Sequence, residues 1–326
     1  MNLDLKLIRH ALSLAKHRNF ARAADALHIS QPALSRSIAR LEAALGVLLF
    51  DRTRDGVVPT DYGRVLIERG GAIMNGAQEL RREIGQMQGV EVGEVAVAIG
   101  PFPHAISAGV ALAKFMAAYP NVHVRLEQHS PKGTVVKLLE GTVDLGIADV
   151  REWHADARLE IQSLPQHVGI WACRAGHPLS GRPGLTLDDV LSYPLVCSQL
   201  PNQIATLFGD CPAAGRLDPD SGEFYPAVTL ESLALGPGIV ARSDAILLTS
   251  AGIAANGLVR GELAVLDLHL PWQRTNYGFL FKRGRTLSAA TREFMKCVRA
   301  SESESMAYES YLLERYASGL RSFEQS

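Results

Sequence analysis

Between residues 20 and 60, apolar and polar positions follow first the period of two short helices and then that of a hairpin. Phe20, Ala23, Ala24 and Leu27 mark the buried side of one helix, and His28-Ile29 turn the chain into Ser30. Ser30 is suited to cap a second helix, with Gln31 and Pro32 in the first turn, where a missing amide N–H costs nothing. Leu34, Ile38, Leu41 and Leu45 then fall four, three and four residues apart, which makes one apolar stripe. The opposite face carries Pro32, Ser35, Arg36 and Ala39, with Arg40 on its flank. That face is small, polar and cationic, as a helix needs to be if its backbone is to approach base edges in a DNA major groove. Phe50–Thr60 has apolar ends, a charged middle and Gly56 at the bend, so it reads as a two-stranded wing whose Arg52 and Arg54 reach phosphates or a minor groove. An ordinary amphipathic helix pair with a solvated loop fits the same pattern.

A first helix over residues 3–17 faces the next two with Leu5, Ile8, Leu12 and Ala15. After the wing, Thr60 caps a long helix to about Gln88, in which Leu66, Gly70, Ile73, Ala77, Leu80, Ile84 and Met87 alternate spacings of four and three. That is a coiled-coil seam, and it predicts a dimer. A hinge at residues 89–93 follows, and beyond it short β-branched runs alternate with amphipathic stretches. Strands are expected at 95–99, 122–127, 145–148, 194–197, 239–241 and 277–281, and helices at 103–119, 131–140, 186–191, 202–208 and 287–299. Residues 159–173 read as extended with a change of direction near Pro165, 209–226 as a Gly/Pro/Asp-rich connection, and Gly236-Pro237-Gly238 as a turn. Such alternation implies an α/β fold with a mostly parallel sheet covered by helices.

In α/β sheets, ligands sit at the carboxyl ends of strands, beside helix N-termini. Four places qualify: Pro103-His104 after the first strand, Ser130, Ser198-Gln199 after Cys197, and Val228-Thr229. Ser130, followed by Pro131, is equally a plain N-cap, and Ser198 and Asn202 are open to the same reading. Pro101, Phe102 and Pro103 make the first wall stiff and apolar, which suits a ligand with an aromatic or apolar part, or a pocket that binds nothing. His104 and His129 read as pocket walls or hydrogen-bond partners, because no positioned nucleophile accompanies them.

Composition changes this picture only in places. The 326 residues carry a net charge of −1, but residues 1–60 hold nine Lys/Arg against five Asp/Glu and the remainder 24 against 29. A positive head on a mildly acidic body fits a nucleic-acid module joined to something else. Four cysteines without regular spacing argue against a disulfide scaffold or a metal site. GxSxG, Walker A, GxGxxG and HExxH signatures are missing, so neither an enzyme nor a cofactor is expected. No signal peptide and no run of 18 apolar residues is seen, which leads us to expect a cytoplasmic protein without a membrane partner.

The dense run Ser30-Gln31-Pro32-Ala33, with Leu41-Glu42 through Leu49-Phe50 and Gly63, closely resembles the DNA-binding domain of the LysR-type transcriptional regulators. Looser likenesses, Phe115 to Val122, Leu139 to Ile147, Gly176 to Leu179 and Leu287 to Phe294, resemble that family's effector domain. The resemblance implies a winged helix-turn-helix domain over 1–60 and a linker helix over 61–89 that packs antiparallel against its partner. It implies a periplasmic-binding-protein-like effector region of two Rossmann-like α/β subdomains over 90–300, with 301–326 as an extension beyond the family's usual end. Arg22, Ser30, Gln31, Pro32, Ser35, Arg36, Arg40, Arg52 and Arg54 would then contact double-stranded DNA at an imperfect palindromic operator. Phe102, Pro103, His104, His129, Ser130, Cys197, Ser198, Gln199, Asn202, Val228 and Thr229 would surround an inter-lobe cavity for a small effector, an organic anion by the chemistry of its donors. The resemblance further implies pairing into a dimer or tetramer and admits RNA polymerase as a partner. A solute-binding protein and an enzyme on an α/β scaffold are the alternative classes; the first would need an export signal and no wing.

Overall fold

The computed structural model of the chain describes residues 4–53, 56–87, 93–208, 211–218 and 220–317, in two units that part after Met87. The first holds α1 (Leu5–His17), α2 (Phe20–Ala26), α3 (Gln31–Leu45), the hairpin β1 (Phe50–Thr53) and β2 (Gly56–Pro59), and α4 (Asp61–Met87). Asp4, Asn19 and Ser30 cap α1, α2 and α3, each accepting a backbone N–H from Lys6, Arg22 or Ala33. Ala23 and Ala24 are buried, so α2 lies close against its neighbours over a core of Leu7, Leu14, Leu34, Ile38 and Leu41. Glu42 reaches from α3 to accept the N–H groups of Leu49 (2.8 Å) and Phe50 (3.3 Å), which fixes the wing to the helix before it.

Thr60 joins the wing to α4: its hydroxyl donates to the Leu48 carbonyl (2.8 Å) and accepts from the Gly63 N–H (3.1 Å). Gly63 is needed there, because a Cβ would stand 2.1 Å from the Leu49 carbonyl oxygen. The expected seam of α4 is divided. Leu66 and Gly70 face α1 within the chain, and a Cβ on Gly70 would lie 3.0 Å from Ile8 Cγ2. Ile73 and Leu80 remain 45% and 58% exposed, as a seam awaiting a partner would be; the side chains of Ile84 and Met87 lie outside the described residues.

The second unit has two lobes. β3 (Gly93–Ile99), α5 (Pro101–Ile106), α6 (Ala108–Ala118), β4 (Val122–Gln128), α7 (Pro131–Leu139), β5 (Leu145–Asp149) and β6 (Leu159–Ser163) begin the first. The chain then crosses to β7 (Gly169–Arg174), α8 (Leu187–Leu191), β8 (Leu195–Cys197), α9 (Asn202–Ala205), β9 (Gly215–Leu217), β10 (Phe224–Pro226) and β11 (Val228–Thr229). α10 (Gly236–Val240), β12 (Ile246–Ser250), α11 (Ala251–Val259) and β13 (Leu263–Val265) complete the second lobe, and β14 (Tyr277–Lys282) and α12 (Ala289–Tyr316) follow. The two sheets run β4-β3-β5-β14-β6 and β11-β8-β12-β7-β13. In each, the first three strands run parallel, and the strand that has crossed from the other lobe, β14 or β7, runs antiparallel to both its neighbours.

Several expectations are corrected. Residues 239–241 are not a strand: Gly236-Pro237-Gly238 opens α10, with Gly236 buried so closely that a Cβ would meet Leu247 Cδ1 at 2.6 Å. The strand comes later, at β12, where the residues are buried from Ile246 to Ser250. The helix expected over 103–119 begins at Pro101 and breaks at the buried Ser107. The connection 209–226 contains the β9–β10 hairpin. The last helix does not stop near 299. It continues to Tyr316 with Glu302, Glu309 and Leu312 buried, so this part of the extension belongs to the effector unit.

The chain's tryptophans, Trp153, Trp171 and Trp272, all belong to the second unit, so their fluorescence reports that unit alone. Gly63→Ala is expected to destabilise the first unit by about 1–3 kcal/mol, seen as an earlier loss of helical circular dichroism with the tryptophan transition unchanged. Leu312→Ala, which hollows the core under α12, is expected to cost ~2–5 kcal/mol in the tryptophan-monitored urea transition.

Candidate functional site

The first surface is the exposed end of α3. Gln31, Pro32 and Arg36 are exposed there, Ser35 is half-buried beside them, and Arg40 lies one turn on. The guanidinium groups of Arg22, Arg36 and Arg40 have no carboxylate partner among the described residues, which leaves their charge available for phosphate or guanine. Ser30 serves as the cap of α3, its Oγ accepting the Ala33 N–H at 3.4 Å. Arg52 sits on β1, but its side chain lies outside the described residues, as does Arg54 altogether.

The second is a cavity of about 580 Å³ in the effector unit, between the strand ends of the two lobes. Phe102 and Pro103 after β3, with His129 and Ser130 after β4, line it from the first lobe. Cys197, Ser198, Gln199 and Thr229 line it from the second. His104 and Val228 do not: helical winding from Pro101 turns His104 out to solvent, and Val228 is 38% exposed away from the cavity. Asn202 opens α9, and its side chain lies outside the described residues. Ser130 Oγ accepts the Gly133 N–H at 3.1 Å, so it caps α7 at the cavity wall.

Three basic groups at the rim, Lys132, Arg151 and His129, each face a carboxylate. Glu152, Glu231 and Arg274 also line it, exposed and without an ion pair among the described residues. Lys132 Nζ lies 3.0 Å from Glu223, which raises the Lys132 pKa and lowers that of Glu223. Arg151 lies 3.4 Å from Asp149, whose carboxyl is nonetheless pushed up by burial. His129 Nε2 is 3.1 Å from Glu127 and, with Arg125, holds that carboxyl below its ordinary range.

Deeper in, the unpartnered polar groups are uncharged. Gln199 Nε2, Thr249 Oγ1 and Gln273 Nε2 are buried without a hydrogen-bond partner, and all three residues line the cavity. Thr249 is fully buried at the end of β12, and Gln273 lies in the crossover next to Gly169, whose N–H donates to its carbonyl at 2.7 Å. Neither residue is foreshadowed by the sequence, because β12 is displaced from the expected strand and the crossover has no periodic pattern. Phe102, Trp153, Leu200, Leu248 and Trp272 supply apolar wall. Cys173 and Cys197 are buried, and burial pushes both thiols up, Cys173 to about 12, so neither presents a thiolate. Among the described residues no cluster of His, Cys, Asp and Glu is arranged to hold a metal ion.

Residues 5–64 match the family described as "Bacterial regulatory helix-turn-helix protein, lysR family", and residues 88–303 match "LysR substrate binding domain". The SDS degradation transcriptional activation protein of a Pseudomonas species is 38% identical over 291 residues, which cover 88% of this chain and 92% of that protein. The DNA-binding transcriptional dual regulator OxyR of Escherichia coli is 25% identical over 308 residues, 91% of this chain and 95% of that one. In fold, the chain is similar to full-length CbnR complexed with its target DNA (TM-score 0.59, 21% identity, 92% of this chain and 100% of that one). It is also similar to full-length OxyR from Pseudomonas aeruginosa (TM-score 0.63, 18% identity, 92% and 95%).

The free guanidinium of Arg36 on the α3 face makes it the base reader to test. Arg36→Ala is expected to cost ~1–3 kcal/mol on specific DNA and far less on a scrambled sequence. Titrations over a salt series on both DNAs check this, and an equal loss on the two would mark Arg36 as a phosphate contact instead.

Proposed function

This chain belongs to the LysR family and is a sequence-specific DNA-binding transcriptional regulator with a ligand-binding effector domain; from that premise we propose how its two surfaces work. Gln31, Pro32, Ser35 and Arg36 face the major groove, Arg22 and Arg40 hold phosphates, and the wing arginines Arg52 and Arg54 extend the contact along the backbone. Two chains pair through α4, where the exposed Ile73 and Leu80 supply the apolar seam. The pair sets two heads at the spacing of an imperfect palindrome.

The effector is an organic oxyanion with an apolar body, received between the lobes. One observation carries this: Gln199, Thr249 and Gln273 place unpartnered, uncharged donors beside the apolar wall that Phe102, Trp153, Leu200, Leu248 and Trp272 supply. A buried donor without a partner is costly, and a ligand oxygen would satisfy it. The relative named for SDS degradation makes an alkyl sulfate the first probe to try. The ligand acts by preferring one arrangement of the lobes. A ten-fold preference is about 1.4 kcal/mol, enough to alter how the paired heads span DNA without abolishing binding.

Trp153 and Trp272 line the cavity and supply the readout. Octyl sulfate, kept below micelle-forming concentration, should change tryptophan fluorescence saturably in the full chain. Thr249→Val and Gln273→Leu should each weaken that binding about ten- to a hundred-fold, as loss of one hydrogen bond to a charged group of ~1.5–3 kcal/mol implies, with melting temperature retained. Unchanged affinity in both variants would move the head group elsewhere. A second measurement tests pairing: Ile73→Lys with Leu80→Lys should convert the dimer to monomer in sedimentation and weaken operator binding.

A further inference from the structure

α12 is one rod fastened to both lobes. Phe294, Met295 and Val298 near its start lie in the core of the first lobe with Val97, Phe115 and Phe279. Leu312, with Leu313 and Tyr316, packs on Ile170, Leu247 and Ala254 of the second. Between these anchors, Glu302 and Glu309 stand two helical turns apart on one face and are both buried. They hold His167 between them: its Nε2 is 2.7 Å from Glu302 Oε2 and its Nδ1 2.7 Å from Glu309 Oε2.

His167 lies in the crossover from β6 to β7, and the second crossover is bound to the same place. The His167 N–H donates to Thr275 Oγ1 at 2.8 Å, and the Thr275 N–H donates back to the His167 carbonyl at 2.9 Å. Tyr277, which stacks on the His167 ring, donates its hydroxyl to Glu302 at 2.7 Å. Glu309 Oε1 accepts the N–H of Gly252 at the start of α11, at 3.1 Å. Glu302 thus grips the first lobe, Glu309 the second, and both grip the hinge. Thr275 and Tyr277 also line the cavity.

We propose that residues 301–316 form an inter-lobe clasp, in which Glu302 and Glu309, through His167, fix both crossovers and so set the width of the effector cavity. These carboxylates are positioning residues; they need not touch the effector. The clasp goes beyond the ligand assignment and does not depend on it. The titratable groups facing His167 are Glu302 and Glu309 from α12 and Tyr277 from β14. Burial alone would lower the imidazole pKa, but hydrogen bonds and charge from the two carboxylates outweigh it and raise the pKa from 6.5 to about 9. The native bridge therefore contributes fully below pH 6.5 and is lost as pH rises through about 9.

Hydrogen exchange on the full chain, corrected for the intrinsic pH dependence of the chemistry, tests the clasp without any ligand. At pH 7, Glu309→Gln and His167→Gln should lower amide protection in 164–169 and 273–277 at least ten-fold, with β3, β5, β8 and β12 as in the wild type. Wild-type protection in these two segments should fall between pH 8 and 10 towards that of His167→Gln, which should show no such step. Unchanged crossover protection in folded variants would overturn the proposal, as would an equal loss across both sheets. Should His167→Gln fail to fold, the wild-type pH series decides alone: a step confined to the crossovers supports the clasp, and no step refutes it.

Discussion

Within the effector unit, an imidazole removed from water lies between two carboxylates that are themselves buried, and the chain's passages between the lobes converge there. Desolvating any one of these groups alone would be costly, and removing the imidazole would leave two buried carboxylates uncompensated. The three are tolerable only as a set, so the geometry of each depends on the others. Glu302 and Glu309 come from a single helix whose ends are fixed in different cores. A small displacement of one lobe cannot be absorbed locally; it must lengthen a charge-assisted hydrogen bond or shift the whole rod. The position of Tyr277 and Thr275 in the cavity wall follows from this constraint.

How much of this was legible in the sequence depended on how local the determining contacts are. The head is built from contacts within a few residues: caps at Asn19, Ser30 and Thr60, apolar spacings of three and four, and Glu42 reaching seven residues on to Leu49. Those leave direct marks, and the wing and helices stand where the pattern put them. The facing of α1 differs, however: Leu7, Ala11 and Leu14 turn into the core, while Leu5 stays exposed and Ile8 and Leu12 face α4 instead. The second lobe is decided at longer range. Ile239-Val240-Ala241 has strand-like side chains, yet Pro237 in the first turn and the fit of Gly236 beneath Leu247 make it helical. With strand-like residues at 239–241, the sequence pattern hides β12 and its Thr249. His104 was misplaced for a related reason, since α5 starts directly after β3 and its winding turns that ring outward.

The long α4 shows why a heptad pattern alone does not identify a partner. Leu66 and Gly70 obey the seam spacing, but they face α1 of the same chain, where the absence of a side chain at Gly70 lets Ile8 approach. Ile73 and Leu80 continue the same stripe beyond the reach of α1 and stay exposed. One apolar face thus changes its surroundings along its length, first closing the head's own core and then lying exposed. Gly70 marks the first stretch, but Ala77 is small too and lies between the exposed Ile73 and Leu80; the change is invisible to spacing, because both stretches keep the same period.

The cavity divides its polar groups by charge, and that division bears on what it can select. Lys132, Arg151 and His129 each face a carboxylate, so a ligand that recruited one of them would have to displace Glu223, Asp149 or Glu127. Gln199, Thr249 and Gln273 have no such competitor, and their donors are already desolvated whether or not a ligand is present. Binding an oxygen there therefore adds hydrogen bonds without breaking any in the protein, whereas binding at Lys132, Arg151 or His129 exchanges one ion pair for another. The inner wall should accordingly set affinity. The rim, whose pairs include Lys132 of the first lobe with Glu223 of the second, should instead feel how the lobes are placed. A ligand held by the inner donors and pressed against Tyr277 and Thr275 would act on the hinge itself, the part of the unit that the α12 carboxylates hold most tightly.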